Sequence, residues 1–212
     1  MINKKLASQL SQFGTASIYE AQGATGALDS GIKPLTPTMQ VYGPAFTADI
    51  RPGDNLMLHY ALLHIQPGDV LVVDAKRFME AGPWGDILTV QAISKGVAGL
   101  IMNGAVRDAQ AIKSLGFPVF CRGLSIKGTA KKQSGRMNIP LCIGDTVINP
   151  GDYIFGDEDG VVAVPQQNLA AVLTATQERE DIEATYREKI KQGGNTVDLM
   201  GLRETIKQLE LH

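Results

Sequence analysis

Residues 70–121 read VLVVDAKRFMEAGPWGDILTVQAISKGVAGLIMNGAVRDAQAIKSLGFPVFC. Three short apolar runs in this stretch have the length and composition of buried strands: Val70–Asp74, Gly99–Asn103 and Pro118–Cys121. Two segments between them predict helices, each followed by a glycine that ends it: Asp86–Lys95 and Arg107–Leu115. Strand, helix, strand, helix, strand is the order of an α/β layer.

The flanking segments extend this layer into a larger body. Asp54 follows a Pro-Gly turn and is placed to cap a helix over residues 55–65. From Ile139 to Pro165, short apolar runs separated by Gly-Asp turns predict a region made of strands. The sequence therefore predicts a mixed α/β body over residues 1–165.

The C-terminal segment, residues 166–212, has a different character. Gln166–Gln192 contains neither glycine nor proline and predicts one long helix, and Thr196 can cap a short last helix that runs to about Gln208. Residues 1–165 carry 14 basic and 14 acidic side chains, whereas residues 166–212 carry 6 and 8. The net charge of −2 therefore lies in a polar helical arm, which we expect to pack against a neighbouring subunit.

The composition excludes several classes of protein. With 20 Lys+Arg against 22 Asp+Glu in 212 residues, the chain lacks the basic excess of a general nucleic-acid binder. Two cysteines are too few for a secreted disulfide framework, and the sequence shows neither a signal peptide nor an apolar run long enough to span a bilayer. We expect a cytoplasmic protein without a membrane partner.

The candidate chemistry lies in the acidic residues. The three histidines and two cysteines are not clustered as zinc ligands, and no GxGxxG, GxxxxGK or GxSxG motif occurs. Two of the predicted helices start beside an acid, Asp86 or Asp108, that follows a turn of small residues. In α/β folds, ligands bind at the carboxyl ends of strands, where helix N-termini offer free N–H groups.

This pattern suits a small anionic substrate. A carboxylate could be held by the backbone amides of four consecutive residues: Gly85, Asp86, Ile87 and Leu88. Arg107 could grip the same group with two hydrogen bonds, and Asp108 could bind a hard cation such as Mg²⁺. A plainer interpretation is that Asp86 is only a helix cap and that Arg107 and Asp108 form an ordinary surface pair.

Asp86, followed after twenty residues by Arg107-Asp108, resembles the D-x20-R-D signature of the class II pyruvate aldolases of the RraA-like family. Its best-known members are the 4-hydroxy-4-methyl-2-oxoglutarate / 4-carboxy-4-hydroxy-2-oxoadipate aldolases. The similarity covers most of the chain through strings that include Pro52–Asn55, Gln66–Asp74 and Gly156–Pro165. The resemblance implies an RraA-like swivelling β/β/α sandwich, assembled as a homotrimer or homohexamer with shared active sites.

For activity, the resemblance implies cleavage of a 4-hydroxy-2-oxo dicarboxylic or tricarboxylic acid to release pyruvate, as in aromatic degradation, together with oxaloacetate decarboxylase activity. It implies Mg²⁺ or Mn²⁺ on Asp108, stabilisation of the enolate by Arg107, and Asp86 as a base that acts through water. A glutamate from a neighbouring subunit's arm completes such sites. Alignment places it on Glu183, and Glu180 is the alternative.

The competing function is that of a regulator that shares the fold and inhibits a ribonuclease by binding to it. Regulators of this type end soon after the strand at 156–165 and lack an acid at the position of Asp86, so both features favour the aldolase. Other residues have more open roles. His59 is typical of a packed helix histidine. Four basic residues could meet a second substrate carboxylate or belong to a solvated loop: Lys127, Lys131, Lys132 and Arg136.

Overall fold

The computed structural model describes residues 2–211, which form a mixed α/β fold. The strands are β1 (Lys33–Pro34), β2 (Val41–Asp49), β3 (Val70–Asp74), β4 (Gly99–Val106), β5 (Val119–Leu124), β6 (Arg136–Met137), β7 (Leu141–Ile143), β8 (Thr146–Ile148), β9 (Tyr153–Gly156) and β10 (Val161–Val164). The helices are α1 (Ile2–Leu10), α2 (Thr15–Ala21), α3 (Leu56–His64), α4 (Asp86–Ser94), α5 (Ala109–Leu115), α6 (Leu169–Lys191), α7 (Thr196–Leu199) and α8 (Arg203–Gln208).

Four parallel strands form the centre of the main sheet, in the order β5, β4, β3, β2. The antiparallel strands β9 and β10 extend the sheet beyond β2, and β1 extends it beyond β5. The strand β6 pairs with the end of β2, while β7 and β8 form a separate hairpin. The carboxyl ends of the four parallel strands therefore meet at one edge, where α/β folds usually bind ligands.

The central strands are buried on both faces because layers cover each side. One face packs against α3, α4 and α5 through residues such as Leu62, Leu71 and Leu88. The other face packs against β7 to β10 through residues such as Val72 and Ile148. The helices α1, α2 and α6 cover the outer side of β9 and β10. This sandwich with a C-terminal helix confirms the predicted fold class.

The prediction that a helix begins at Arg107 is wrong. The strand β4 continues to Val106, and α5 begins at Ala109 after Asp108 turns the chain with a left-handed φ of 56°. The Asn103-Gly104 pair favours a turn locally, but β4 stays extended because its last residues pair with β5 across a bulge. Arg107 and Asp108 therefore lie in the loop between β4 and α5.

The predicted long C-terminal helix forms as α6, after a 3₁₀ turn at Gln166–Asn168. Its first half is held by its own chain, because Leu169, Val172 and Thr176 are buried on the side that faces α1, α2 and the sheet. Its second half is mostly exposed. The arm is thus anchored at its base and carries a polar distal part.

The predicted short last helix is divided in two at Gly201, which has a φ of 68°. Asn195, rather than Thr196, caps α7, because its side chain accepts a hydrogen bond from the Asp198 amide at 2.9 Å. Between residues 2 and 211, no helix is both long and apolar enough to cross a membrane.

Candidate active site

The residues predicted to bind substrate meet at the carboxyl edge of the parallel strands. A cavity of about 280 Å³ lies there, and its lining includes Gly85, Asp86, Ile87, Leu88 and Arg107. The segment between β3 and α4 runs beside the end of β4, where the Arg107 amide donates a hydrogen bond to the Trp84 carbonyl at 2.8 Å. The turn at residues 85–88 and Arg107, which are separate in sequence, therefore line the same cavity.

Two glycines allow this close approach. A Cβ on Gly82 would lie 2.8 Å from the Arg107 Cβ, and a Cβ on Gly85 would lie 3.2 Å from the Arg107 Nε. A Cβ on Gly85 would also overlap the Asp108 Oδ2. A larger residue at Gly85 would displace the guanidinium or the carboxylate, and one at Gly82 would press against the Ser125 carbonyl and the start of the Arg107 side chain. The two glycines therefore set the geometry of the site.

The backbone of Asp108 is left-handed, and its carboxylate lies beside the start of α4. Its Oδ2 lies 3.3 Å from the Asp86 amide and 3.3 Å from the Arg107 Nε. Both contacts are long, so most of the capacity of this carboxylate to accept bonds remains free. The Asp86 Oδ1 accepts the Ile87 amide at 2.8 Å, while its Oδ2 accepts no hydrogen bond from residues 2–211. Asp86 therefore helps to start the helix and keeps one oxygen available.

The oxygen donors of the site fit a hard divalent cation. No group of three or more His, Cys, Asp or Glu side chains in the described range could hold a metal by itself. A cation beside Asp108 would take most of its ligands from water and substrate, as Mg²⁺ commonly does. The missing side chain of Gly85 allows the Asp108 Oδ2 to approach the backbone of the turn. These residues fit Mg²⁺ or Mn²⁺ and do not form a zinc cage.

A second side of the cavity, which we call the α3 wall, consists of Asn55, His59 and residues 128, 129 and 131. The buried Asp54 joins its two parts. The Asp54 Oδ2 accepts the Lys132 amide at 2.7 Å, and its Oδ1 accepts the Leu56 amide at 2.9 Å. Burial raises the pKa of Asp54, but these amides and that of Gln133 hold it below its ordinary value overall. The predicted cap is therefore displaced by one residue: Asn55 occupies the N-cap position of α3, while Asp54 precedes it, binds the first helical amide and also fixes a distant loop.

A chain of polar contacts beneath the site ties the strand ends together. The Asn103 Nδ2 donates to the Asp74 Oδ1 at 2.8 Å, and the Arg122 Nε donates to the Asn103 Oδ1 at 2.6 Å. Arg122 also forms an ion pair with Asp29 at 2.8 Å. The pKa of Asp29 is lowered to about 2, mainly by the Arg122 guanidinium and to a smaller extent by the Gly31 amide. The sequence analysis assigned these residues no role, and for Asp74, Asn103 and Arg122 the sequence signal is a polar side chain within or at the end of a buried apolar run.

Glu183 is not among the residues that line the cavity of its own chain. It lies on the distal part of α6 and forms ion pairs with Arg179 at 2.8 Å and Arg187 at 3.3 Å. Glu180 accepts a hydrogen bond from the Ser17 Oγ at 2.5 Å and another from Arg187 at 3.1 Å. These two bonds lower the pKa of Glu180. Within one chain, both glutamates therefore stand apart from the cavity.

Comparison with known proteins identifies the class of this fold. The RraA-like family, described as Aldolase/RraA, matches residues 15–163. A protein of Halalkalibacterium halodurans named "Putative 4-hydroxy-4-methyl-2-oxoglutarate aldolase" is 39% identical over 181 residues, which cover 85% of this chain and 86% of that protein. The chain is thus of the class that holds both aldolases and RraA proteins. It belongs to the RraA-like family.

Solved structures agree with this assignment. An uncharacterized protein from Pseudomonas syringae superimposes with a TM-score of 0.81 at 27% identity, covering 93% of this chain and 97% of the other. The RNA-processing inhibitor RraA from Thermus thermophilis superimposes with a TM-score of 0.67 at 25% identity, covering 72% of this chain and 93% of the other. The family resemblance seen in the sequence is confirmed, and its relatives carry both aldolase and inhibitor names.

Proposed function

We propose that this protein is a divalent-metal-dependent aldolase, which cleaves a 4-hydroxy-2-oxo dicarboxylic or tricarboxylic acid and releases pyruvate. The observation that carries the proposal is the convergence of Arg107, Asp108 and the amide turn at 85–88 on one edge of the sheet. Cleavage through an enolate needs these elements, because negative charge develops on the 2-oxo oxygen as the carbon–carbon bond breaks. The aldolase name of a 39% identical relative supports it.

Each residue has a defined task in this reaction. The amide turn at 85–88 holds the substrate carboxylate, for which the Asp86 and Ile87 amides exchange their present bonds to the Asp108 Oδ2 and the Asp86 Oδ1. Arg107 binds the 2-oxo oxygen and stabilises its charge. Asp108 holds the cation, Mg²⁺ or Mn²⁺, which supplies Lewis-acid stabilisation when bound. Asp86, through a water, removes the proton of the C4 hydroxyl, so that C4 becomes a carbonyl while the C3–C4 bond breaks. Protonation at C3 then gives the methyl group of pyruvate.

Oxaloacetate decarboxylation reaches the same enolate without a C4 hydroxyl. The electrons of the bond between C3 and the leaving carboxylate pass to the 2-oxo group, where Arg107 stabilises them. No base is required for this step, so Asp86 is needed for aldol cleavage alone. One site therefore supports both activities, with different demands on Asp86.

An apolar surface beside the cavity supports a homotrimer or homohexamer with shared sites. Tyr60 and Leu63 on α3 are 45% and 63% exposed, and Ile87 and Val90 on α4 are 72% and 53% exposed. Because α3 and α4 are neighbours, these side chains form one surface. Contiguous apolar surface of this kind marks an interface more often than free solvent-facing protein. A second subunit placed there would border the cavity.

Within such an assembly, Glu183 is a better candidate than Glu180 to enter a neighbour's site. The ion pairs of Glu183 are exposed and join residues of the same helix, and such pairs cost little to break. Glu180 is fixed to α2 through Ser17. The glutamate donated by the arm is therefore Glu183 in our proposal.

The test is pyruvate release from 4-hydroxy-4-methyl-2-oxoglutarate and from oxaloacetate, measured with Mg²⁺ and with a chelator. Wild type should release pyruvate from both acids, and the chelator should abolish release until Mg²⁺ is restored. Asp108→Asn should retain the thermal unfolding midpoint and lose activity by about 100-fold or more. If no acid gives metal-dependent pyruvate, the aldolase proposal fails. The alternative, an inhibitor that binds a ribonuclease, would then be favoured by the similarity to RraA.

A further inference from the structure

The α3 wall contains buried polar atoms that are not satisfied by any residue in the described chain. Asn55 lines the cavity and is 7% exposed, yet its Oδ1 has no hydrogen-bond partner among residues 2–211. The His59 Nε2, on the same wall, is also buried without a partner in this range. Leaving a buried acceptor unpaired destabilises the protein, so this wall is suited to a ligand that pairs with it.

The orientation of the Asn55 amide shows which partner is missing. The Asn55 Nδ2 donates to the Pro83 carbonyl at 2.9 Å. Because a carbonyl can only accept, the amide nitrogen must face Pro83, and the unpaired atom is the oxygen. The complementary ligand group is therefore a donor, such as a hydroxyl.

The charge of this wall comes from Lys131. Burial lowers the pKa of His59, and the charge of Lys131 lowers it further, so the imidazole is neutral at pH 7. Among the four basic residues of the neighbouring loop, Lys127 pairs with Glu80 and Arg136 pairs with Asp49. Lys131 lines the cavity, and no carboxylate within the described residues lies within 4 Å of its ammonium. It is available to an anion in the cavity.

We infer that the α3 wall binds the part of the substrate beyond C3. Asn55 accepts a hydrogen bond from the water that carries the C4 hydroxyl proton to Asp86, and Lys131 pairs with the distal carboxylate. The neutral His59 offers one further hydrogen bond to this part of the ligand. The inference rests on the proposed function, in which Arg107 and the amide turn hold the 2-oxo acid end. It names the residues that recognise the C4 end and the second carboxylate of the substrates proposed above.

A pair of unreactive ligands tests the role of Lys131 by direct binding. 2-Oxoglutarate and 2-oxopentanoate share a five-carbon chain and differ in a distal carboxylate or methyl group. By titration calorimetry with Mg²⁺, wild type should bind 2-oxoglutarate about tenfold more tightly or better. Lys131→Met should remove this preference by weakening 2-oxoglutarate alone, and Lys131→Arg should retain it. Lys132→Met, which changes a neighbouring lysine that does not line the cavity, is the matched control.

The role of Asn55 is tested by turnover. Asn55→Ala should lower kcat/KM for 4-hydroxy-4-methyl-2-oxoglutarate by roughly 10- to 100-fold and leave oxaloacetate decarboxylation within about twofold, because oxaloacetate has no C4 hydroxyl. Thermal unfolding of each variant is recorded because Asn55 also holds Pro83, and the Lys131 series remains decisive if this variant does not fold.

The inference and the proposed function fail in different ways. If wild type binds the two acids equally or binds neither, or if Lys131→Met keeps the preference, the subsite is overturned even when pyruvate release is intact. If wild type releases no pyruvate from any acid, the proposed function fails first, whatever the two ligands do.

Discussion

Replacement of Gly85 by alanine should separate the geometry of the site from the stability of the fold. Gly85 has φ −147° and ψ −164°, an extended conformation that alanine adopts without strain. The new methyl carbon would lie about 1 Å closer to the Asp108 Oδ2 than the ~3.3 Å that carbon and a non-bonded oxygen normally keep. It would also lie 3.2 Å from the Arg107 Nε.

The clash should be relieved by movement of Asp108 and Arg107 rather than of Gly85. The Gly85 carbonyl is held by the Thr89 Oγ1 at 2.9 Å, and Thr89 is itself bonded to the buried Trp84 at 2.8 Å. A displacement of about 1 Å in catalytic groups costs on the order of 100-fold in rate, or about 2.7 kcal/mol of transition-state stabilisation. The reduced entropy of the unfolded alanine chain contributes about 0.4–1 kcal/mol of stability and partly offsets the contact.

The assay is kcat/KM for pyruvate release, with thermal unfolding recorded in parallel. The control is Gly14→Ala, which adds a methyl before α2, outside the lining of this cavity, where the backbone (φ −64°, ψ 145°) suits alanine and a Cβ would meet nothing within 4 Å. Its activity should stay within about twofold of wild type. Wild-type kcat/KM in Gly85→Ala, or equal losses in the two variants, would refute the idea that close packing at Gly85 positions the site.

Other substitutions test individual roles. Asp86→Asn should reduce aldol cleavage by about 100-fold or more and oxaloacetate decarboxylation far less; parallel loss of both activities would contradict its role as base. Mixing inactive Arg107→Ala and Glu183→Ala subunits should recover part of the pyruvate release, because some mixed sites keep both residues; no recovery after subunit exchange would count against shared sites. Asp29→Asn should lower the thermal midpoint at pH 7. The deficit should shrink as the pH falls from about 4 toward 2, because a carboxylate with a lowered folded-state pKa stabilises the fold only while ionised. A constant deficit would show that the charge is not responsible.

The buried strands could be predicted because packing on both faces requires unbroken apolar runs. The predicted strand Val70–Asp74 has the same bounds as β3, and the helix predicted over Asp86–Lys95 forms as α4. The end of β4 could not be predicted, because Asn103-Gly104 has the local preference of a turn. It stays extended through pairing with β5 and contacts with the loop after β3, neither of which is local in sequence.

The candidate site could be predicted only where its residues lie in short motifs. Asp86 and Arg107-Asp108 each stand beside a turn of small residues, and the structure brings them together. For the α3 wall, the sequence marks Lys131 as one of four basic residues that could meet a carboxylate, but it does not predict that Lys131 lies beside Asn55. That arrangement depends on Asp54, which binds backbone amides far along the chain. Whether the arm reaches a second site depends on assembly, which no local pattern encodes.

The left-handed backbone at Asp108 has a consequence for which residues this position can accept. A φ of 56° is readily adopted by glycine, asparagine and aspartate, whereas other side chains lose about 1–2 kcal/mol there. Of the three, only aspartate carries a charge. Glutamate, its chemical equivalent as a ligand, would bring both backbone strain and a longer reach. The backbone at this turn thus favours aspartate over glutamate as the acidic ligand before any cation binds. Conservation of aspartate at this position would therefore reflect folding as well as chemistry.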